Sequence, residues 1–316
     1  MIERSVEIHP VVSREEWLER RKPDVTGSTA AALLGAHEHC TALQLYMDKT
    51  GLVSMDRGDN PAMRRGRLLE PLALTLIKEQ HPDWEVWPAA EYLRDPERRL
   101  GCTPDVYVRD KADRLGVVEI KSVEPGVFAR TWVEDGIIRP TMASAIQVTL
   151  ARHLKGADFA MVGVIRVGHG VDFDLIEVPE TEGLIERLQQ AADAFWRAVD
   201  RQQPPPPIFP ADVDAVLRYA KSIKTTDQAL ELPEGDNYFP SLIAEYLQNS
   251  AEIKERKNRC ETIKAEILHH MGPATALTQN GRVLARALMV HKRAEEKPRP
   301  AYSYRDFRIP TGAVNP

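Results

Sequence analysis

Asp105, Glu119 and Lys121 stand in the stretch GCTPDVYVRDKADRLGVVEIKS, residues 101–122, among side chains that otherwise build strands. A carboxylate in a sheet is costly to bury unless it is paired or bound to a metal. The flanking VYV and LGVVEI are β-branched and aromatic, and RDKAD between them reads as a turn. Closing the hairpin about Ala112 sets Arg109 opposite Leu115, Tyr107 opposite Val117 and Asp105 opposite Glu119. Opposed residues have Cβ atoms about 5 Å apart. Strand alternation puts Lys121 on the face of Glu119, two positions along. Two acids then converge beside an ammonium. Like charges that close repel each other, so the arrangement suits a divalent cation. A slip of one residue would send the two acids to opposite faces.

The elements around this hairpin must carry the other chemical groups to it. SREEWLERR predicts a helix capped by Ser13 with Glu16 at its third position, and the loop KPDVTG leads to a helix beginning near Ser28. Helices are expected over 41–49 and 61–80, the latter with Leu69, Leu72 and Leu76 as its buried stripe and Gly66 one turn before Glu70. Strands are expected over 84–88, 101–109 and 115–122. A crossover helix over 140–154 leads to strands over 157–166 and 171–178, joined by a tight VGHG turn. An amphipathic helix over 180–201 ends at the semi-rigid break QQPPPP. A long charged helix over 241–271, a short β segment and a polar tail with Tyr302, Tyr304 and Phe307 complete the chain. This order predicts a mixed α/β (α+β) core, a central mixed sheet flanked by helices, over residues 1–203. A helical C-terminal extension is expected over 204–316.

Composition narrows the function classes. The 316 residues are 43% hydrophobic, enough for a substantial core, and contain no apolar run of the ~20 residues that span a membrane. Cys40, Cys102 and Cys260 are scattered, which gives neither a disulfide framework nor a CxxC metal site. A cytoplasmic setting is therefore expected. The net charge of −5 speaks against non-specific coating of nucleic acid. It is compatible with a metal-dependent nuclease, whose acids gather at the metal while basic residues line a groove.

Four pieces resemble the PD-(D/E)XK nuclease superfamily, and within it the phage lambda-type exonucleases and YqaJ-like viral recombinases. They are RKPDVTGS (21–28), RRGRLLEP (64–71), CTPD with EIK, and AIQVTLARHL (145–154). The closing YRDFRIP is similar to the end of such proteins. The resemblance implies the restriction-endonuclease-like core. It implies that Asp105, Glu119 and the carbonyl of Ile120 bind Mg²⁺, with Mn²⁺ as a substitute, and that Glu70 lies near a second metal or the attacking water. Lys121 would position or activate that water, its pKa lowered by the adjacent cation, and Gln147 would hold Lys121 or the substrate. Arg21 and Ser28 would bind the 5′-phosphate of a DNA end. Thr103 stands where relatives can carry serine. The implied activity is 5′→3′ digestion of double-stranded DNA to 5′-mononucleotides. The implied partners are a strand-annealing protein and two further copies in a ring-shaped trimer, in a chain of phage or prophage origin.

Other readings of the same residues stand beside this one. A RecB-like or structure-specific endonuclease would share the acids and lysine, although the missing cysteine quartet disfavours iron–sulfur versions. A catalytically silent DNA-end-binding protein would need no metal. A third reading makes the extension an assembly module. Arg21 could complement the end of the first helix, and Ser28 could be a plain N-cap. AHEHC (36–40) has no standard zinc spacing, KERKNR (254–259) reads as a solvated helix face, and MRRGR (63–67) reads as a backbone-contacting basic patch beside Glu70.

Overall fold

Pro104, which has no N–H to give a ladder, splits the strand expected over 101–109. The computed structural model describes residues 6–53, 60–223 and 228–287. Its first elements are β1 (Glu7–Pro10), α1 (Arg14–Arg21), β2 (Val25–Thr26), α2 (Gly27–Ala30, continued by a 3-10 turn), α3 (Ala42–Lys49) and α4 (Pro61–Gln80). There follow β3 (Glu85–Pro88), β4 (Glu91–Asp95), β5 (Leu100–Cys102), β6 (Val106–Arg109), β7 (Leu115–Val123) and α5 (Pro125–Thr131). The short hairpin β8 (Val133–Glu134) and β9 (Ile137–Ile138) precedes α6 (Met142–Lys155), β10 (Phe159–Val167), β11 (Val171–Glu177), α7 (Leu184–Asp200) and α8 (Val213–Ser222). The chain then forms α9 (Tyr238–Met271), β12 (Ala276–Gln279) and β13 (Arg282–Arg286).

The two halves of the split strand join different sheets. β5 lies in a four-stranded sheet ordered β1-β4-β5-β2, and β6 in a five-stranded sheet ordered β11-β10-β7-β6-β3. In the latter, β7 runs antiparallel to β6, with Tyr107 opposite Val117 and Arg109 opposite Leu115. This is the hairpin register expected from the turn. β7 also runs parallel to β10, and α6 makes the crossover between them. Both faces of this mixed sheet are covered, so its central strands are apolar on both sides. Val106, Val118, Ile120 and Ile165 pack against Ala73 and Ile77 of α4. Val117, Val162 and Val164 pack with Ile146 and Leu150 of α6. Truncating Ile77, which is fully buried, to alanine would cost about 2–5 kcal/mol. The fully buried residues of α4 are thus Ala73 and Ile77, and the expected stripe of Leu69, Leu72 and Leu76 is half-buried.

Several elements depart from the sequence expectation. β4 was hidden by its charges, but Glu91 is bonded to Tyr107 and Lys155, and Arg94 to Asp24. The second helix begins at Gly27 with Thr26 as its N-cap, so Ser28 lies inside the first turn and caps nothing. The chain divides into two compact units, Met1–Tyr219 and Ala220–Pro316. Residue 203 is not the divide, because the chain after the proline run packs back onto the first unit. Buried Asp212 accepts from Thr41 Oγ1 at 2.5 Å, and Gln44 Nε2 donates to the carbonyl of Ala211 at 2.9 Å. In the second unit α9 is followed by the hairpin β12–β13; YRDFRIP lies outside the described residues. Among the described residues no helix is long and apolar enough to cross a membrane.

Candidate active site

Glu119 and Lys121 leave β7 on the side of α6, which supplies Gln147. Lys121 Nζ donates to Glu119 Oε1 at 2.8 Å and to Gln147 Oε1 at 2.9 Å. Gln147 Nε2 donates to the same Glu119 oxygen at 2.6 Å. Asp105 sits just before β6, its Oδ2 accepting the Ile120 N–H at 2.7 Å and its carbonyl accepting from Ala89 N–H at 3.0 Å. Its backbone is thus pinned between β7 and the end of β3. In an antiparallel pair a residue's N–H and C=O face the same neighbour, so the Ile120 carbonyl points toward the Asp105 side.

This cluster is short of positive charge. Burial, and then the charge of Glu119, push the Asp105 carboxyl well above the usual carboxylate range. Glu70, an exposed residue of α4 whose carboxyl leans into the site, is raised by desolvation and by Glu119. Burial pulls Lys121 down, but Glu119, Asp105 and Glu70 together outweigh it and hold the ammonium above its ordinary value. The lowered lysine expected from the sequence presupposed a cation beside it; in the chain alone the acids dominate. Among the described residues, the hydrogen bonds to the side chains of Asp105 and Glu119 fall on one oxygen of each carboxylate. Two hard oxygen donors and a nearby carbonyl, in a site that repels itself, fit Mg²⁺, which takes few carboxylates and keeps several waters. Among the described residues no three acidic, histidine or cysteine side chains gather into a metal-holding group, so Glu70 closes no cage with the pair.

A second group of polar side chains lies along the same cleft. Arg21, on the last turn of α1, stacks over Trp17 with its guanidinium carbon 4.1 Å from the ring centroid. Its Nη2 donates to Ser28 Oγ at 3.0 Å and to Thr26 Oγ1 at 3.2 Å. Trp17 Nε1 donates to Thr103 Oγ1 at 2.8 Å, two residues before Asp105. The end of α1 is served by Lys49, which donates to the carbonyls of Arg21 and Lys22. Arg21 is therefore left to its side-chain partners. The loop from Arg21 to Ser28 is fixed by fully buried Asp24, which accepts from Tyr92 Oη at 2.8 Å and from Arg94 Nε at 2.8 Å. Gly27 lets α2 approach α6, since a Cβ there would lie 3.3 Å from Gln147 Cγ and from Cys102 Cβ.

One cleft of about 720 Å³ joins the two groups, running from Trp17, Arg21 and Ser28 past Gln147 to Glu119 and Asp105. Every side chain singled out in the sequence for the site lines this cleft, as do Ile120 and Glu70. Met63 and Arg67 of the basic patch also line it, whereas Arg65 turns to the carbonyl of Ser122. Trp17 and Thr26, which line it too, were missed. Trp17 stands four residues before Arg21 on one helix face, a signal the sequence carried. His37 accepts the His39 N–H on Nδ1 at 3.0 Å, which leaves Nε2 to donate to the Ser28 carbonyl at 3.0 Å. The histidines of AHEHC thus brace this loop.

The stretch holding all of these groups, residues 16–152, matches the model of the YqaJ-like viral recombinase domain. Over this stretch the chain is similar to that domain. A curated relative, the uncharacterized protein YqaJ of Bacillus subtilis (strain 168), is 24% identical over 266 residues, 83% of this chain and 80% of the relative. Among solved structures, an alkaline exonuclease from Laribacter hongkongensis is similar at 20% identity and a TM-score of 0.48, over 60% of this chain and 94% of that one. A phage-related exonuclease from Haemophilus somnus 129PT is similar at 16% identity and a TM-score of 0.44, over 57% and 94% of the two chains. Within the matched stretch Asp105 precedes β6, and Glu119, Ile120 and Lys121 lie in β7, its neighbour in the mixed sheet.

Proposed function

We propose that this protein is a Mg²⁺-dependent exonuclease that digests double-stranded DNA from its 5′ ends, releasing 5′-mononucleotides and leaving 3′ single strands. The observation that carries the reading is one cleft with buried Glu119, half-buried Asp105 and Lys121 at one end and an arginine–hydroxyl cluster at the other. The cluster suits a terminal phosphate, and the acid end suits the scissile phosphodiester beside it. Arg21 and Ser28 provide a guanidinium and a hydroxyl already directed into one place, so little order is lost on binding an anion. Asp105, Glu119 and the Ile120 carbonyl would hold Mg²⁺, and Mn²⁺ in its place. The bound ion would supply Lewis acidity and a template for in-line displacement, worth several kcal/mol. Gln147 keeps Lys121 at the acid pair, where its ammonium can orient the attacking water and offset charge that grows on the phosphate. Glu70, at the open side, would take a hydrogen bond or a proton from that water. A ring of three copies and a strand-annealing partner belong to the same proposal and rest on the family resemblance.

The test is digestion of a linear duplex labelled at its 5′ or 3′ end, with Mg²⁺ or EDTA, beside a closed circle. Early Mg²⁺-dependent release of the 5′ label with the circle intact is expected. A nicked circle would move the reading to an endonuclease. End binding that persists in EDTA without cleavage would make it a silent binding protein.

A further inference from the structure

The helix α9 runs 34 residues, about 51 Å, with Met271 its buried residue. Phe239, Tyr246, Ile253, Cys260 and Ile267 recur along it at every seventh position, with Leu242 and Ile263 three residues after the first and fourth of them. Phe239 is 47% exposed, Ile253 53% and Leu242 44%. A straight α-helix drifts about 20° per seven residues, so a strict seven-residue stripe stays on one side only when the helix winds about another. Helices of this length gain most of their stability from packing an apolar face.

We propose that α9 pairs with α9 of a second copy, antiparallel, about the point between Lys254 and Glu255. The pairing is self-complementary. Each residue of the seven-residue stripe meets one from the intervening position of the other copy: Ile253 meets Arg256, Cys260 meets Asn249, Tyr246 meets Ile263, and Ile267 meets Leu242. Every layer then holds an apolar or thiol side chain. Arg256 can lay its stem along the Ile253 side and keep its head in water. A parallel pair would instead stack Arg256 on Arg256. Beside the central layers Glu252 of one copy faces Arg259 of the other, twice by symmetry. Toward the ends Glu245 faces Glu266, whose carboxylate already lies 3.9 Å from Arg259 of its own helix and is open to salt screening. The contact belongs to the second unit and is independent of any ring formed by the first unit.

Sedimentation of the full chain tests it, because Ile253→Glu should halve the mass of the assembly; equal masses for both proteins would overturn the pairing. Treatment with a short bis-maleimide tests the orientation without disrupting the helix. Asn249→Cys should cross-link two copies, and adding Cys260→Ser should abolish the product. Absence of that product, or cross-linking of the unaltered chain through Cys260, would overturn the antiparallel arrangement.

Discussion

Lys121 and Gln147 meet at 2.9 Å, and both donate to the same oxygen of Glu119. The lysine is therefore held at the acid pair by an amide from another element. Lys121→Ala and Asp105→Ala should each lower cleavage by at least about 10²-fold, the usual consequence of removing a catalytic group. Gln147→Ala should cost less, because Glu119 still holds the ammonium. Single-turnover digestion of a labelled duplex measures all three, and wild-type rates for Lys121→Ala and Asp105→Ala would remove the pair from the chemistry.

Arg21 contacts Ser28 and Thr26 while it lies over Trp17, so its loss should be felt at the end of the substrate. Arg21→Ala should slow digestion of 5′-phosphorylated duplexes by about tenfold or more, as expected for a charge-assisted contact, and 5′-hydroxyl duplexes far less. The comparison of the two substrates is the measurement. Equal losses on both would take Arg21 out of the phosphate pocket.

Asp105 is a carboxylate that folding disfavours when no cation is present. Asp105→Asn keeps the shape and can still accept from Ile120 N–H, so the metal-free protein should melt at a higher temperature than wild type. Mg²⁺ should raise the melting temperature of the wild-type protein, because a ligand that binds only the folded state stabilises it, and should leave the variant unmoved. Calorimetry with and without the ion reads both effects.

His37 is held below its ordinary pKa, first by burial, with the charge of Lys121 and the neighbouring His39 acting in the same direction and the Ser28 carbonyl and Glu38 opposing. Its Nδ1 accepts a backbone N–H, and protonation there would break that bond. A depressed folded-state pKa means that the contribution is present above the unfolded value of about 6.5 and is lost as pH falls below it. Melting temperatures between pH 7.5 and 5 should fall with pH, and His37→Asn should flatten that slope. An unchanged slope would contradict the assignment.

Asp24 is fully buried against Tyr92 and Arg94. Asp24→Ala should destabilise the protein by about 1–3 kcal/mol, because it leaves the buried Tyr92 hydroxyl without its acceptor and the half-buried Arg94 guanidinium with Glu7 as its remaining partner. Denaturant melts would show the loss, and a change below about 1 kcal/mol would show that the loop rests on other contacts.

Turn chemistry and alternation determine the hairpin of β6 and β7, with Tyr107 opposite Val117 and Arg109 opposite Leu115, and so bring Asp105, Glu119 and Lys121 to one end of it. Capping by Ser13 and the periodic spacing of apolar residues likewise marked α1, α4 and α6, because these signals act between near neighbours. Tertiary structure alone brought Trp17 to Thr103, 86 residues away. It also made Thr26, not Ser28, the N-cap of α2, and carried the first unit beyond the proline run to residues such as Asp212. These outcomes depend on sheet order and on which buried charge finds its partner, as with Asp24 and Arg94. A contact between distant elements forms only after the chain has closed the loops between them, and no local pattern encodes that closure.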